Sequence, residues 1–229
     1  MTSPATTNEP RWRRRPSERP TEILEAALDA FAERGLAGTR VDDIAARAGV
    51  SKGTLYLYFD SKEELFREAI RDKVARTLEG LASAVEGASP TERLSRFIEA
   101  YWAHLRRPHF ASMYRLIMAE LHQFPELTRF YAEEVSGKVI DFLAQLVRSG
   151  VDAGDFRELD ARVTSRMIVS LLVQHAVWIS RRELFPHLDD RTDEMLVAEI
   201  EEFIWSALLA PGAARPAGHL PTAHLEGTS

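Results

Sequence analysis

The sequence of 229 residues contains no cysteine, and no apolar run in it reaches the ~20 residues needed to cross a bilayer. The lack of cysteine excludes disulfide scaffolds, thiolate zinc sites and cysteine nucleophiles, and it agrees with a reducing compartment. The most apolar stretch, residues 167–180, is short and is interrupted by three polar residues. The arginine-rich segment 11–15 is followed by Pro16, Ser17 and Glu18 in place of an apolar signal core. We therefore expect a cytoplasmic protein without a membrane partner.

Signatures of catalysis and of metal binding are missing as well. The sequence has no Gly-rich phosphate loop and no G-x-S-x-G serine elbow. His104, His109 and His122 are not spaced by four residues on one helix face, and no carboxylate pattern completes a metal site. The paired carboxylates Glu133-Glu134 and Glu201-Glu202 are expected on solvated helix faces. We predict that the protein is not an enzyme and needs no metal or cofactor.

The charges are unevenly distributed along the chain. The sequence has 29 basic and 35 acidic residues, a net charge of −6, which argues against general affinity for nucleic acid. Residues 1–80 hold 14 basic and 14 acidic side chains, whereas residues 81–229 hold 15 and 21. The whole acidic excess therefore lies in the second part, which indicates two parts with different roles.

Apolar residues recur with a helical period and without strand alternation, which predicts an all-α fold of about nine helices. The first helix is predicted to end at Gly35, since glycine is a usual left-handed cap. Thr39 with Asp42 and Ser61 with Glu64 have the spacing of capping boxes that open the second and fourth helices.

Later helices are predicted from similar signals. Ser89-Pro90-Thr91-Glu92 has the pattern of a capping box with proline at the first helical position. Further helices are expected near 110–122, 127–150, 160–182 and 192–209.

Residues 40–59 have the pattern of a helix-turn-helix. Two short helices meet at Ala48-Gly49-Val50-Ser51, where glycine can adopt a positive φ at little cost. The apolar side chains that would hold the two helices together are Val41, Ile44, Ala45, Leu55 and Phe59. In such a motif the N-terminal end of the second helix enters the DNA major groove.

The short third helix carries groups that suit DNA. Ser51, Lys52 and Thr54 stand at its start, where backbone N–H groups can also meet phosphate. Tyr56 and Tyr58 offer hydroxyls to phosphates and ring edges to thymine methyl groups. The alternative is that the lysines are ordinary solvated charges and the aromatic rings ordinary core residues, which is our interpretation for Phe59.

The residues that carry this motif resemble the N-terminal domain of the TetR/AcrR family. The similarity extends without a gap over about residues 17–77, through Ile23–Ala27, Phe31, Gly35, Thr39–Ala45 and Gly49–Leu65 (GVSKGTLYLYFDSKEEL). The remaining two thirds resemble the family only in the number and order of helices.

The resemblance implies a homodimeric transcription regulator, usually a repressor that a small molecule releases from a palindromic operator on double-stranded DNA. Carried over position by position, it assigns DNA contacts to Arg40 and Val41 at the second helix and a phosphate contact to Lys62. On the third helix it assigns them to Lys52, Gly53, Thr54, Tyr56, Leu57 and Tyr58.

We therefore divide the chain into four parts. These are a disordered basic arm at 1–16, a DNA-binding domain at 17–77, a ligand-binding and dimerisation domain at 78–210 and a disordered tail at 211–229. The Arg11–Arg15 arm could contact the DNA minor groove, or it could be only a disordered tail, and the sequence favours neither.

The last two helices carry more apolar surface than a peripheral hairpin can bury, so we predict a dimer interface there, in agreement with the resemblance. Its candidate residues are Met167, Leu171, Leu172, Ile179, Leu196, Ile200, Phe203 and Ile204. The alternative is that both helices are internal core.

Large apolar residues of the middle helices are the candidates for an effector site, since aromatic rings and methionine suit adaptable pockets. These are Trp102, Met113, Tyr114, Ile117, Met118, Phe124 and Tyr131, with Trp178 on the eighth helix. Gln174 and His175 interrupt that apolar helix and need partners if they are buried, either on a ligand or across the dimer.

Two other functions stay open from the sequence. The protein could bind DNA without responding to a ligand, as an architectural protein does, or it could activate transcription with the same fold.

Overall fold

The computed structural model describes residues 19–86, 89–107, 110–121, 125–188 and 190–215. These residues are helical, and the sole β-bridge among them joins Phe156 to Leu209. The helices are α1 Arg19–Gly38, α2 Val41–Arg47, α3 Lys52–Tyr56, α4 Lys62–Ala84, α5 Pro90–Leu105, α6 Phe110–Leu121, α7 Pro125–Phe130, α8 Gly137–Asp152, α9 Ala161–Ile179 and α10 Asp193–Leu208. A π-helical turn, Tyr131–Ser136, joins α7 to α8, so the described residues form nine continuous helices, and the predicted all-α fold is confirmed.

Two short 3₁₀ turns, Arg182–Leu184 and Pro186–Leu188, follow α9. No helix in the described part of the chain is both long and apolar enough to cross a membrane.

The predicted helix ends are confirmed at some positions and wrong at others. Gly35 has φ 78° and interrupts α1 three residues before its end, so the expected left-handed glycine is present. Ser89 and Glu92 form the predicted capping box at α5. Ser61 Oγ accepts the Glu64 N–H at 3.0 Å, but the Glu64 carboxylate accepts from the Asp60 N–H at 2.8 Å, so that box is shifted by one residue.

The predicted capping box at Thr39 and Asp42 is wrong. Arg40 is the N-cap of α2 and no side chain caps this end. Thr39 is buried, and its hydroxyl donates to the carbonyls of Gly35 at 2.6 Å and Ala30 at 3.1 Å. It therefore ties the chain before α2 to the end of α1.

The described chain divides into two compact units, the first ending at Ala69 and the second beginning at Ile70, within α4. The first unit has its own core of fully buried side chains, which include Ile23, Phe31, Ile44, Leu55 and Leu65. The rings of Phe31 and Phe66 pack edge to face with centroids 5.2 Å apart. These contacts join α1, α2, α3 and the start of α4.

The second unit has a larger core built from α5, α8, α9 and α10. Its members include Phe97, Leu143, Leu172, Ile204 and Trp205. Glu201, which we expected on a solvated face, is buried in this unit. Burial raises its pKa to about 7, and the nearby Glu99 carboxylate adds to the shift.

Candidate nucleic-acid and effector sites

The turn between α2 and α3 has the backbone that the helix-turn-helix pattern predicts. Gly49 lies in the left-handed region with φ 66°, where a side chain would be strained. The Val50 N–H donates to the Ala45 carbonyl at 2.9 Å and closes the turn. Ser51 then caps α3, because its Oγ accepts the Thr54 N–H at 3.0 Å and lies 2.8 Å from the Thr54 hydroxyl.

Helix α3 buries one face and exposes the other. Leu55 is fully buried and Phe59, just after the helix, packs in the core as we interpreted it. Tyr56, Leu57 and Tyr58 are exposed by 44%, 83% and 43%. Because contiguous exposed apolar side chains are typical of contact surfaces, these three consecutive residues make this face the part of the unit best suited to meet a partner.

Four cations of this unit, Arg34, Arg40, Arg47 and Lys52, lie within ion-pair distance of carboxylates. Lys52 Nζ lies 3.1 Å from the Asp42 carboxylate, and Arg40 Nη2 lies 4.0 Å from the same group. Further pairs are Arg34 with Asp43 at 2.5 Å and Arg47 with Glu33 at 2.8 Å. One carboxylate, that of Asp42, therefore lies within ion-pair distance of two of the predicted DNA contacts.

Lys62 also has local partners. Its ammonium donates to the backbone carbonyls of Thr39 at 3.2 Å and Ala37 at 3.5 Å, where α1 ends. The residue therefore caps free carbonyl groups in addition to any contact with phosphate.

The structure brings the predicted DNA residues together on α2, α3 and the segments beside them. Arg40, Ser51, Lys52 and Gly53 are exposed, and Val41, Thr54 and Lys62 are half-buried. The Arg11–Arg15 arm lies outside the described residues. Sequence reasoning missed Asp42 as the partner of Lys52, because a pair across ten residues depends on the angle between α2 and α3. It also missed the pair of Asp42 with Arg40, which lies two residues earlier in the chain.

The predicted effector residues of α5 and α6 lie inside the second unit. Trp102 and Ile117 are buried, whereas Met113, Tyr114, Met118 and Tyr131 are half-buried. Phe124 lies outside the described residues. Among the described residues, no group of three or more His, Asp or Glu side chains is placed to hold a metal ion.

Two residues near these were missed by sequence reasoning. Tyr101 is buried, and burial raises its pKa above the usual value, with smaller contributions from Tyr131 and Tyr114. His104 stacks on Tyr101 with centroids 6.2 Å apart. Burial lowers its pKa to about 4, helped by the charges of Arg107 and Lys73. The spacing Phe97, Tyr101, Leu105 places Tyr101 on the apolar stripe of α5, a signal that was present in the sequence.

The two polar residues that interrupt the apolar sequence of α9 differ in their exposure. Gln174 is exposed on the single chain, so a contact with a ligand or across a dimer remains a prediction. His175 is half-buried, with Nδ1 2.8 Å from the Leu171 carbonyl and its ring 5.2 Å from that of Trp178. His175 also lines a surface groove between α9 and α10 with Leu171, Leu196, Glu199, Ile200 and Phe203.

The residues predicted for the dimer interface fall into two groups. Leu172, Ile179, Leu196, Ile200 and Ile204 are buried in the core of the chain itself, because they face the inner side of the α9–α10 pair. Met167 and Phe203 are exposed by 58% and 60%, and Leu171 is half-buried. Val163 and Met195, which we did not predict, are exposed large apolar residues of the same two helices.

Both units of the chain match known protein families. Residues 23–69 match the family of bacterial regulatory proteins of the tetR type, and residues 92–205 match the C-terminal domain of AefR-like transcriptional repressors. The fatty acid metabolism regulator protein of Bacillus subtilis is 27% identical over 184 residues, which cover 78% of this chain and 94% of that protein. The transcriptional repressor KstR2 of Mycobacterium tuberculosis is 31% identical over 164 residues, which cover 70% and 78%.

A solved structure agrees with these matches. The transcriptional regulator FadR from Bacillus subtilis, in complex with stearoyl-CoA, is 26% identical and aligns with a TM-score of 0.61 over 80% of this chain and 95% of that one. The resemblance that the helix-turn-helix residues indicated is therefore confirmed over both units. The chain belongs to the TetR family of DNA-binding transcriptional regulators.

Proposed function

We propose that this protein is a homodimeric repressor that binds a palindromic operator and is released from it by a small hydrophobic ligand. The observation that carries the proposal is the exposed face of α3, where Tyr56, Leu57 and Tyr58 project from a helix whose Leu55 is fully buried. A short helix held rigidly by its inner face can present base-reading groups at the protein surface.

Within this site the contacts divide by chemistry. Arg40, Lys52 and Lys62 suit phosphates, because cations position a protein on DNA without reading sequence. Ser51, Gly53 and Val41 allow close approach of the backbone, and Thr54, Tyr56, Leu57 and Tyr58 are the candidates for base readout.

The division between phosphate and base contacts can be tested with the double variant Thr54→Ala, Tyr58→Ala. We expect it to reduce the preference among related palindromes, by about tenfold for each base that the removed side chains recognise. Binding measured by fluorescence anisotropy against a set of single-base operator variants gives the ranking. An unchanged ranking would remove base readout from this helix.

The exposed apolar residues of α9 and α10 support a homodimer. One helix-turn-helix reads only a few base pairs, so a second copy is needed for useful specificity. Met167 and Phe203 are the exposed anchors, with the groove beside Phe203 available to the partner. A dimer interface at this surface would be formed by these exposed side chains, because the other five candidates are buried in the core of the same chain.

The dimer can be tested by Phe203→Glu, which places a charge in the predicted interface. We expect this variant to sediment as a monomer and to lose operator binding while it stays folded. Gln145→Glu adds the same charge to an exposed site on α8 and is the control. A Phe203→Glu protein that remains dimeric places the interface elsewhere.

The large side chains of α5, α6 and the π-helical turn support a hydrophobic effector, and a relative that binds stearoyl-CoA points in the same direction. Release requires that the ligand favour one of two dimer states. Moving a population from 99:1 to 1:99 takes about 5.5 kcal/mol of differential affinity.

The whole proposal is tested by selecting bound fragments from random duplex DNA with the purified protein and repeating the selection with hydrophobic compounds. We expect an inverted repeat with half-sites one or more helical turns apart, and loss of the bound fragments with an effective compound. Fragments with a single half-site contradict a dimeric protein. Fragments that no compound releases favour the ligand-independent alternative.

A second candidate, activation, is favoured by one relative. The transcriptional activator FasR of Mycolicibacterium smegmatis is 36% identical over 101 residues, which cover 44% of this chain and 45% of FasR. A reporter driven by the native promoter decides between the two, because deleting the regulator raises expression if it represses and lowers expression if it activates.

A further inference from the structure

A continuous row of aromatic rings runs from α5 to α6 inside the second unit. The ring centroids of Phe97 and Tyr101 are 5.4 Å apart, and those of Tyr101 and His104 are 6.2 Å apart. His104 and Phe110 follow at 5.9 Å, and Phe110 and Tyr114 at 6.0 Å. The row is apolar on its faces, but three of its five members carry polar atoms.

These polar atoms have unfilled hydrogen-bonding capacity. The Tyr101 side chain is 6% exposed, and those of Tyr114, Tyr131 and His104 are half-buried. Within the described part of the chain, no hydrogen bond joins another residue to the three hydroxyls or to the ring nitrogens of His104. A tyrosine hydroxyl with no partner in the protein can donate its proton to a bound molecule. A bound molecule that accepts hydrogen bonds from this cluster therefore gains a contact that the protein alone does not make.

The π-helical turn gives independent support. The extra residue of such a turn rotates the helix before it by roughly 100° relative to the helix after it. Tyr131 is the first residue of the turn. The direction of its side chain therefore does not follow from the regular spacing of residues in α8. The turn is fixed by Gly137, where a Cβ atom would lie 2.6 Å from the Ala132 carbonyl oxygen. Turns of this kind are frequent at functional sites.

The cluster is uncharged at neutral pH. Burial raises the pKa of Tyr101 and of Tyr131, so both hydroxyls stay protonated and can donate. Burial also keeps the His104 imidazole neutral, since it lowers its pKa to about 4. The same desolvation disfavours a carboxylate on a ligand, and the cations nearest to His104, Lys73 and Arg107, are exposed to water, which screens them.

We propose that the hydroxyls of Tyr101, Tyr114 and Tyr131 bind an uncharged carbonyl oxygen of the effector, such as that of a ketone, ester or thioester, while its apolar part packs along the aromatic row. The inference rests on the proposed ligand response and adds the chemical class of the ligand. It predicts that an uncharged acceptor binds better than a carboxylate or a hydrocarbon of the same length.

The experiment compares three ten-carbon probes, 2-decanone, decanoate and 1-decene, by isothermal titration calorimetry on the full-length protein at pH 7.5. We expect 2-decanone to bind at least about fivefold more tightly than either other probe, which corresponds to one neutral hydrogen bond. Tyr101→Phe should reduce the affinity for 2-decanone by about 3–10-fold and change that for 1-decene less than about twofold. Tyr131→Phe is a second variant with the same expectation, should Tyr101→Phe fold poorly.

A spectroscopic readout separates recognition from a structural role. The carbonyl stretch of ¹³C-labelled 2-decanone should move to lower frequency on binding to the wild-type protein and move back in Tyr101→Phe. Equal affinity for all three probes, tighter binding of decanoate, or no binding of 2-decanone overturns the inference. None of these results bears on the operator selection, so the proposed function stands or falls separately.

Discussion

Replacing Asp42 by asparagine is expected to strengthen binding to DNA of random sequence. In the free protein the Asp42 carboxylate lies 3.1 Å from Lys52 Nζ and 4.0 Å from Arg40 Nη2. If Lys52 and Arg40 contact phosphate as proposed, the phosphate must displace this carboxylate from both cations and then lies close to its negative charge. The Asp42→Asn substitution removes the competition and the repulsion but keeps the size of the side chain.

The magnitude follows from the exposure of the pair. The side chains of Asp42 and Lys52 are about half exposed, at 49% and 52%, so each ion pair is worth only about 0.2–1 kcal/mol. Two such pairs give an increase in binding free energy of about 0.5–1.5 kcal/mol, or roughly 2–10-fold in affinity. Because salt screens exposed charges, this increase should shrink as the salt concentration is raised from about 50 mM to about 300 mM.

The assay is fluorescence anisotropy with a labelled duplex of random sequence, at several salt concentrations. Asp29→Asn is the matched control, since it removes one exposed carboxylate of the same unit that has no ion pair with any described residue. Thermal unfolding of both variants checks α2, whose first turn favours an acidic residue by about 0.3–1 kcal/mol. If Asp42→Asn binds random DNA no more tightly than Asp29→Asn at the lowest salt concentration, Asp42 does not restrain the cations.

The remaining predictions concern single side chains. Lys62→Ala should weaken binding to all DNA sequences alike and reduce the slope of log affinity against log salt concentration by about one unit. It should also lower the free energy of unfolding by about 1 kcal/mol, because Lys62 hydrogen-bonds to backbone carbonyls at the end of α1. Unchanged DNA affinity and salt slope would remove Lys62 from the phosphate contacts. Gly137→Ala should cost about 1–3 kcal/mol in denaturant unfolding, because the new Cβ atom meets the Ala132 carbonyl at 2.6 Å, and a smaller cost means that the π-helical turn relaxes easily. Glu201 binds its proton more tightly in the folded protein than in the unfolded chain. Its contribution to folding stability is therefore present below pH 4.5 and is lost as the pH rises through 7. Glu201→Gln should raise the free energy of unfolding above pH 7 by up to about 3 kcal/mol, with no increase at about pH 4. His104 has the opposite dependence, since stability falls as the pH drops from 6.5 to 4, and His104→Phe should abolish that fall when unfolding is measured across this range.

Local features of the fold were predictable from the sequence, whereas those that depend on packing were not. Gly49 was predictable because a tight turn between two helices needs a positive φ, and the residue has φ 66°. The burial of Glu201 was also predictable, from its spacing along the helix. We expected it on a solvated face because we treated it together with the adjacent Glu202. The spacing from Val197 to Glu201 and on to Trp205 places this one carboxylate on the apolar stripe, whereas Glu202 is half-buried at its side.

Contacts across long separations were not predictable in the same way. The hydrogen bond from Lys62 to the Thr39 carbonyl spans 23 residues, and the burial of Thr39 depends on how α1 bends at Gly35. The split of the α9–α10 residues into buried and exposed groups depends on which helices pack against them. The helical period placed these apolar residues on α9 and α10 but did not predict which of them face the core and which face solvent.

The position of Asp42 beside two cations leads to a prediction about how selectively this acidic chain binds DNA. When a phosphate replaces the Asp42 carboxylate on Lys52, the number of ion pairs made by that lysine is unchanged, so charge alone adds little affinity for any sequence. On the proposed function we then expect more of the net affinity to come from groups without charge, Thr54 and Tyr58 among them, which are the candidates for base readout. We therefore predict that Asp42→Asn lowers the ratio of operator affinity to random-sequence affinity, and in the proposed dimer this change occurs once in each half-site.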